Sequence, residues 1–245
     1  MESIKLQKYF TDCGILSRRA AEEEIRKGLV RVNGEIATLG MRIDPDRDRV
    51  EYKGKALRQK DTDRICLLLN KPRGYLTTMK DDRGRRTVAE LVASAGRRVY
   101  PVGRLDMDSD GLLLLTDDGE LANRLTHPRH EIPKIYHVWV KGPVSEETLD
   151  RLRAPMTLDG YEILPVHTER RSFDREKHET CLSMRLYEGR NRQIRKMCEE
   201  CNLTVTRLCR VAIGELLLGA LPAGSYRKLT EKELAYLRGE ISSLS

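Results

Sequence analysis

The segment VGRLDMDSDGLLLLTDDGEL holds the side chains of this chain that are best suited to chemistry. Asp106, Asp108 and Asp110 alternate there and are followed by Gly111 and four leucines. A carboxylate placed just before a buried strand is held rigidly, while its oxygens can face a cleft and attack an electrophilic carbon. The residues alone leave two other interpretations open, a calcium loop and a polar turn that leads into a strand.

The calcium interpretation rests on the pattern Asp-x-Asp-x-Asp-Gly, with Asp117 where an EF-hand has its closing acidic ligand. An EF-hand needs a helix on each side. Upstream, however, RRVYPVGRL contains Pro101 and Gly103, and downstream the leucines predict a buried strand. Leu114 also occupies a position that normally supplies an oxygen ligand. This context argues against calcium, and between the other two interpretations the residues alone favour the polar turn.

The elements around this segment predict an α+β domain over residues 61–245. Its strands are expected at ICLLLNKP, GLLLLT, KIYHVWVKG, CLSMRLY and LTVTRLCRVAIGEL, and its helices at TVAELVAS, DGELANRL, SEETLDRLR, NRQIRKMCEEC and TEKELAYLRG. Thr230 and Glu233 have the spacing of a capping box at the start of the last helix. In the helix NRQIRKMCEEC, an apolar stripe that includes Cys198 and Cys201 leaves Arg195 at its margin, where the side chain can point into a cleft.

Residues 1–60 predict a separate small domain with the order helix, turn, helix, hairpin. Ile4 to Phe10 is amphipathic and stops near Gly14. Ser17 is a good N-cap for a second helix that ends at Gly28. Asn33-Gly34 then lies between alternating apolar positions, which indicates a tight hairpin turn. The polar stretch KGKALRQKDTDR that follows reads as the linker.

Basic residues outnumber acidic ones, 45 to 38, and residues 1–60 hold 14 basic against 10 acidic side chains. On the second helix Arg19, Glu23 and Lys27 have i, i+4 spacing, which fits a solvated face with internal ion pairs. The same face also fits a surface that binds phosphates, extended by Lys5, Arg18, Arg26 and Arg31. The residues alone do not decide between these interpretations.

Other compositional features exclude several classes of protein. The start MESIKLQKYF lacks the apolar region of a signal peptide, and no apolar run approaches the roughly 20 residues that span a bilayer. The six cysteines are scattered and are expected to be reduced thiols of a cytoplasmic protein. Cys198-x-x-Cys201 has a spacing known from zinc and redox sites, but no second ligand pair lies near it in the sequence, and two buried thiols are the better interpretation.

Several motifs in order resemble a known family of enzymes. SRRAAEEEIRKGLVRVNGE resembles the small RNA-binding domain named after ribosomal protein S-four. The motif GRLD with the following GLLLLTDDGEL, together with LLLNKPRGYLTT, KIYHVWVKG and EGRNRQIRKM, is similar to the RsuA/RluB group of pseudouridine synthases. The resemblance implies a mixed, mostly antiparallel sheet with flanking helices. It also implies an isomerase that converts a uridine of ribosomal RNA to pseudouridine without metal or organic cofactor.

The resemblance also implies roles for individual residues. Asp106 is the expected nucleophile, Tyr136 stacks on the uracil, and Arg195 pairs with Asp106. The uridine must leave its base stack to be reached, and Arg104 is expected to help fill the space that it vacates. The remaining expected RNA contacts are Lys5, Arg18, Arg19, Arg26, Lys27, Arg31, Asn33, Lys71, Arg190 and Arg192. Arg190 and Arg192 are expected to point away from Asp106.

The resemblance favours large-subunit over small-subunit ribosomal RNA, because DGELANRLTHP looks closer to RluB-like enzymes. Two other functions compete with this one. A non-catalytic RNA-binding factor of ribosome assembly could keep the same fold, although the intact set Asp106, Tyr136 and Arg195 argues against it. A metal-dependent phosphodiesterase would use the three aspartates as ligands.

Overall fold

The computed structural model describes residues 3–58, 64–127 and 132–244, and these form two compact units. Residues 1–64 with the short segment Asp117–Gly119 make up the first unit, and the rest of the chain makes up the second. The domain boundary expected between residues 60 and 61 lies outside the described residues. Within the described ranges, no helix has both the length and the apolar character needed to cross a bilayer.

The N-terminal unit consists of two short helices and small antiparallel sheets around one apolar core. Its elements are β1 (Ile4–Lys5), α1 (Leu6–Asp12), α2 (Arg18–Arg26), β2 (Val30–Val32), β3 (Glu35–Ile36), β4 (Arg42–Ile43), β5 (Val50–Tyr52) and β6 (Lys55–Ala56). The first helix begins later than expected, because Ile4–Lys5 pairs with β4 as a strand. Leu6 and Phe10 of α1, Ile25 of α2 and Val30 of β2 are buried together in the core.

Local side chains set the boundaries of these elements. The Ser17 hydroxyl accepts a hydrogen bond from the Ala20 amide at 3.2 Å and so caps α2, as predicted. Asn33 and Gly34 have φ of 53° and 90°, and they connect Val32 to its cross-strand partner Glu35. Positive φ at both central residues is the geometry of the two-residue hairpin turn that Asn-Gly favours. The predicted hairpin is therefore confirmed.

The second unit is built on one large sheet. Its elements are β7 (Cys66–Lys71), α3 (Val88–Leu91), a 3₁₀ turn (Ala93–Ala95), β8 (Tyr100–Pro101), β9 (Asp110–Thr116), α4 (Gly119–Thr126), β10 (Lys134–Lys141), α5 (Glu146–Arg153), β11 (Thr157–Leu158), β12 (Tyr161–Glu162), β13 (His167–Asp174), β14 (Glu179–Leu186), α6 (Gln193–Glu200), β15 (Val205–Ile213), β16 (Leu216–Leu217), β17 (Tyr226–Lys228) and α7 (Glu231–Arg238). The strand order is β13-β14-β10-β15-β9-β7-β17, with β8 beside β9 and β16 beside β15. Only the pair β15 and β9 is parallel among the described strands of this sheet. The predicted α+β class with a mostly antiparallel sheet is confirmed.

The helices cover different parts of this sheet. Buried side chains of α5 and α6 share an apolar core with β10 and β14. Side chains of α4 and α7 share another core with β7 and β9. Val88 of α3 packs with Leu67 and Leu113 on the opposite face of those two strands. The strands β10, β15 and β9 lie side by side at the centre of the sheet, and the carboxylate segment leads directly into β9.

Lys71, at the end of β7, holds the loop that carries the three aspartates. Its side chain is fully buried. Its Nζ donates hydrogen bonds to the carbonyl oxygens of Pro72, Asp106 and Ser109 at 3.1, 3.0 and 2.8 Å. Burial lowers the pKa of the Lys71 ammonium to about 8, against the attraction of the three aspartates. The expectation that Lys71 contacts RNA is wrong, because all three of its donors are used inside the protein.

Thr77 fixes the same loop from the other side. Its hydroxyl accepts a hydrogen bond from the Leu105 amide at 3.2 Å and donates one to the Leu105 carbonyl at 2.5 Å. The Gly74 amide donates to the Met107 carbonyl at 2.7 Å. Hydrogen bonds to the backbone of residues 105–107 therefore fix the loop around Asp106 before β9 begins.

Gly111 allows β9 to run close beside β15. Its φ is 104°, and a Cβ placed on it would lie 2.3 Å from the Arg210 carbonyl oxygen and 2.9 Å from Cys209 Sγ. Real Cβ atoms do not approach backbone oxygens so closely. The parallel pairing of the two central strands therefore requires glycine at this position.

We predict that Gly111→Ala destabilises the protein far more than Gly160→Ala does. Gly160 also has positive φ, at 80°, but nothing lies within 4 Å of its would-be Cβ. The control should lose about 1–2 kcal/mol from backbone strain alone, and Gly111→Ala should lose about 1–3 kcal/mol more from overpacking. Urea denaturation measures both free energies of unfolding. Equal losses would show that β9 and β15 are not packed as described.

We also predict that Lys71→Met lowers the free energy of unfolding by about 3 kcal/mol or more, because each buried carbonyl left unpaired costs about 1–3 kcal/mol. The matched control is Lys141→Met, at the exposed end of β10, which should change stability by no more than about 0.5 kcal/mol. If the two variants unfold at the same denaturant concentration, Lys71 does not hold the loop.

Candidate active site

The Asp106 carboxyl lines a cavity of about 460 Å³, a volume typical of sites for small molecules and nucleotides. Its side chain is 27% exposed, so one side of the carboxyl is open to a ligand while the backbone behind it is fixed. Tyr136 of β10 lines the same cavity. Polar side chains that line it as well are Arg104, Ser109, Thr126, Lys134, Glu188, Arg190, Asn191, Arg192, Gln193 and Arg210.

Tyr136 lies where two apolar cores meet. It is partly buried and packs against both the core under α5 and α6 and the core under α3. In the sheet it lies opposite Met184 of β14 and opposite Arg210 of β15. Packing on both sides holds the ring, and the remaining part faces the cavity. A fixed aromatic ring at the wall of a cavity can stack on a planar base.

Two arginines of the α6 region hold the carboxylate loop through Asp108. Arg192 makes two parallel hydrogen bonds to the Asp108 carboxylate, at 3.1 and 3.0 Å. Arg195 Nη2 donates to the Asp108 carbonyl at 3.0 Å, and its Nε lies 3.3 Å from the carboxylate. Burial opposes ionisation of Asp108, but the two guanidiniums outweigh it and hold its pKa below the ordinary value.

The expected pairing of Arg195 with Asp106 is not what the structure shows. Arg192 Nη1 approaches Asp106 Oδ2 at 3.8 Å, whereas Arg195 contacts Asp108. The reason is the backbone at the start of α6. Arg192 has a left-handed φ of 51°, and the helix begins only at Gln193. The expectation that Arg192 points elsewhere is therefore wrong, and Arg195 acts on the loop by way of Asp108.

Arg104 and Arg190 both line the cavity, but they differ in how far neighbouring residues hold their side chains. Arg104 is exposed, and no hydrogen bond or ion pair joins its side chain to any other residue in the described ranges. Arg190 donates from Nε to Glu188 at 3.1 Å and lies over the Tyr161 ring at 4.8 Å from its centroid. The Arg104 guanidinium can thus bind a ligand without first breaking a hydrogen bond or ion pair within the described ranges, while Glu188 and Tyr161 hold the Arg190 guanidinium in one orientation.

The cations expected to contact RNA in the N-terminal unit fall into two groups. Lys5, Arg18, Arg19 and Arg26 are exposed and point away from the core. Lys27 pairs with Glu24 at 2.8 Å instead of with Glu23, and Arg31 Nη1 donates to the Gly34 carbonyl at 2.8 Å.

Asn33 uses both ends of its amide inside the same unit. Its Nδ2 donates to Asp48 at 2.8 Å, and its Oδ1 accepts from the Arg49 amide at 2.9 Å. These bonds fix the hairpin. The amide is therefore committed to the fold, and the expectation that Asn33 contacts RNA has no support in this geometry.

Sequence reasoning missed Lys134 and Arg210 as cavity residues. Arg210 is only 5% exposed, and its Nε donates to the Leu112 carbonyl at 2.7 Å. Lys134 is partly buried on the same face of the sheet as Tyr136. The one available signal was the presence of basic residues in two apolar strand patterns, with Lys134 at the start of KIYHVWVKG and Arg210 within LTVTRLCRVAIGEL.

The competing interpretations of the acidic and cysteine motifs do not fit the structure. Asp110 begins β9 and lies 3.0 Å from Arg207 Nε, so strands instead of helices adjoin the Asp-x-Asp-x-Asp segment. In the part of the chain that is described, no group of three His, Cys, Asp or Glu side chains is arranged to hold a metal ion. Cys198 and Cys201 are buried in the core under α6, and burial raises the pKa of the Cys198 thiol to about 12.

Two family models match this chain. Residues 65–200 match the model described as RNA pseudouridylate synthase, and residues 6–48 match the model described as S4 domain. The first match spans more than half of the chain and contains Asp106, Tyr136 and Arg195. The second covers α1, α2 and the hairpin of the N-terminal unit.

Curated relatives and a solved structure match along nearly the whole chain. The ribosomal large subunit pseudouridine synthase B of Bacillus subtilis is 40% identical over 96% of this chain and 95% of its own length. The dual-specificity RNA pseudouridine synthase RluF of Escherichia coli is 36% identical over 95% of this chain and 77% of its own length. A crystal structure of a pseudouridylate synthase is 29% identical, covers 96% of this chain and 100% of its own, and superposes with a TM-score of 0.65. With its cavity, its carboxylate loop and its S4 domain, this chain belongs to the RNA pseudouridine synthase family, in the RsuA/RluB group.

Proposed function

We propose that this enzyme isomerises one uridine of large-subunit ribosomal RNA, with Asp106 as the nucleophile. The observation that carries the proposal is the joint placement of the Asp106 carboxyl and the Tyr136 ring in the wall of one cavity. The Bacillus subtilis relative, named for the large ribosomal subunit, supports the choice of RNA. Ribosomal RNA as the substrate, together with buried free thiols, supports a cytoplasmic location.

Asp106 has the geometry that a nucleophile needs. Its backbone carbonyl is bound by Lys71, and Arg192 lies 3.8 Å from its carboxylate. These contacts orient the oxygens without covering them. Asp108, by contrast, is engaged by two guanidiniums, and Asp110 is paired with Arg207. Of the three aspartates, Asp106 is the one that lines the cavity.

The reaction needs only the substrate and the residues around it. A carboxylate oxygen attacks the nucleoside at the ribose or at the pyrimidine ring, and the bond between C1′ and N1 breaks. The base turns over within the cavity, C5 bonds to C1′, the carboxylate is released, the proton on C5 is lost and N1 gains a proton. The uridine must be flipped out of its stack before this can begin. Tyr136 then stacks on the base, and Arg104 occupies part of the vacated space.

The N-terminal unit supplies binding that does not depend on the reacting nucleotide. Lys5, Arg18, Arg19 and Arg26 are exposed, and contacts of this kind with phosphates release counterions and depend steeply on salt. We assign them to the RNA around the target uridine.

We predict that Asp106→Asn lowers the rate of pseudouridine formation by about a thousandfold or more, because the amide cannot act as the nucleophile. RNA affinity should stay unchanged, since no phosphate contact is lost. The rate is measured by nucleoside analysis of ribosomal RNA under single-turnover conditions.

The matched control is Asp108→Asn, two residues further along the same loop. Asp108 positions the loop from outside the cavity, so its loss should lower the rate by no more than about a hundredfold. If Asp106→Asn retains the parental rate, or if only Asp108→Asn is inactive, the nucleophile has been assigned to the wrong carboxylate.

We further predict that Arg18→Ala, Arg19→Ala and Arg26→Ala each weaken RNA binding and lower the slope of log affinity against log salt by about one. Arg175→Ala serves as control, since Arg175 is exposed in the turn between β13 and β14 of the other unit. Filter-binding titrations at several salt concentrations give the slopes. Unchanged slopes in all three variants would remove the phosphate-binding role of this helix.

A further inference from the structure

Two cations line the cavity with no anionic partner among the residues that the structure describes. Arg210 is 5% exposed, and its Nη2 is buried with no hydrogen-bond acceptor among the described residues. Lys134 lies on the neighbouring strand, and no hydrogen bond or ion pair joins its side chain to any residue in the described ranges. Burying an unpaired cation is costly. These two positions therefore call for an acceptor that the described part of the chain does not supply.

The sheet places these cations next to Tyr136. Arg210 is the direct cross-strand neighbour of Tyr136 in the pairing of β15 with β10, and such neighbours have their Cβ atoms about 4.5–5.5 Å apart. Lys134 is two residues before Tyr136 on β10, so it lies on the same face. The hydrogen bond from Arg210 Nε to the Leu112 carbonyl, at 2.7 Å, fixes the guanidinium against β9.

The carboxylates near the cavity are engaged with other cations. Glu188 accepts from Arg190 and from Gln193 at 3.1 and 3.0 Å, and Asp108 is held by two arginines. Burial, followed by the nearby charge of Arg210, lowers the pKa of the Lys134 ammonium. A negative charge that arises beside this pair would therefore be stabilised, because Arg210 is buried and already oriented by its hydrogen bond to the Leu112 carbonyl.

We propose that Arg210, assisted by Lys134, binds the carbonyl oxygens of the flipped uracil and stabilises the negative charge on the base while it is detached. This inference rests on the proposed function and adds two catalytic residues to it. When the bond between C1′ and N1 breaks, its electron pair leaves with the base and spreads over N1, O2 and O4. When C5 later bonds to C1′, electrons of the ring form that bond, C5 loses its proton and N1 gains one.

The position of Arg210 favours the base over a phosphate. It is almost fully buried in the sheet beside the ring that we expect to stack on the uracil. Arg104, Arg190 and Arg192 are exposed around the same cavity, where the backbone of a flipped nucleotide would run. The exposed guanidiniums suit phosphates, and the buried Arg210 with the partly buried Lys134 suits a charge that exists only during the reaction.

The test compares uridine with 5-fluorouridine at the target position of the RNA, in single-turnover reactions of the full-length enzyme. Fluorine withdraws electrons and makes the detached base a more stable anion, so help from the protein matters less. The readout is loss of the original nucleoside after digestion, together with RNA affinity. Variants are Arg210→Gln, which keeps a donor for the Leu112 carbonyl, and Lys134→Met, with Arg185→Met on the exposed side of β14 as control.

With uridine we expect Arg210→Gln to slow base detachment by about a hundredfold or more, as removal of an oxyanion donor does. With 5-fluorouridine the loss should shrink to about tenfold or less, Lys134→Met should show the same pattern more weakly, and RNA affinity should stay within about twofold of the parental value. Equal losses with both nucleosides would overturn the inference, and equal losses with weaker binding would assign the pair to a phosphate. A parental rate in Arg210→Gln would refute this inference alone, whereas a parental enzyme that forms no pseudouridine would refute the proposed function.

Discussion

The buried ammonium of Lys71 is the contact on which the rest of this site depends. It donates hydrogen bonds to the carbonyl oxygens of Pro72, Asp106 and Ser109 at distances of 2.8 to 3.1 Å. A single cation with three fixed acceptors forces the loop to curl around the end of β7 and enter β9 in one conformation. Asp108 then faces Arg192 and Arg195, and the Asp106 carboxyl is left at the cavity.

Charge is distributed unevenly around the cavity, and this fits both the binding of a polyanion and the chemistry. Exposed arginines surround it, whereas the buried Arg210 and the partly buried Lys134 lie on the central strands beside Tyr136. Asp108 and Glu188 are closely paired with arginines, whereas Asp106 has one longer contact, 3.8 Å to Arg192, and stays partly exposed to a ligand. In a region of low dielectric constant, each unpaired charge acts more strongly than it would in water. The enzyme can thus attract RNA at the surface and still reserve one anion and two cations for the reacting nucleoside.

The sequence predicted those features that depend on interactions between residues close together in the chain. The Asn33-Gly34 turn, the cap of α2 by Ser17 and the capping box of α7 follow from side chains a few residues apart, and all are present. Asp106 and Tyr136 were expected at one site through family motifs, and they do line one cavity.

Features that depend on long-range register could not be predicted. Lys71 looks like any lysine after a strand, and only the path of a loop 35 residues away turns it into a structural cation. Arg195 contacts Asp108 instead of Asp106, and Arg192 approaches Asp106, where a left-handed residue delays the start of α6. Strand β13 is almost entirely exposed and polar, so it lacks the apolar alternation that marks a strand. Arg210 became a cavity residue through pairing with Tyr136 and not through its own neighbours in sequence.

The central claim is that an everted uridine meets Asp106 and Tyr136 in this cavity. A crystal structure of the Asp106→Asn variant bound to its ribosomal RNA segment tests it most directly, because the substrate would be trapped before reaction. We expect the target uridine out of its stack, with its ring on Tyr136 and with C1′ or C6 about 3–4 Å from the side chain at position 106. A uridine that remains stacked in the RNA, or one that is bound away from this cavity, would contradict the account.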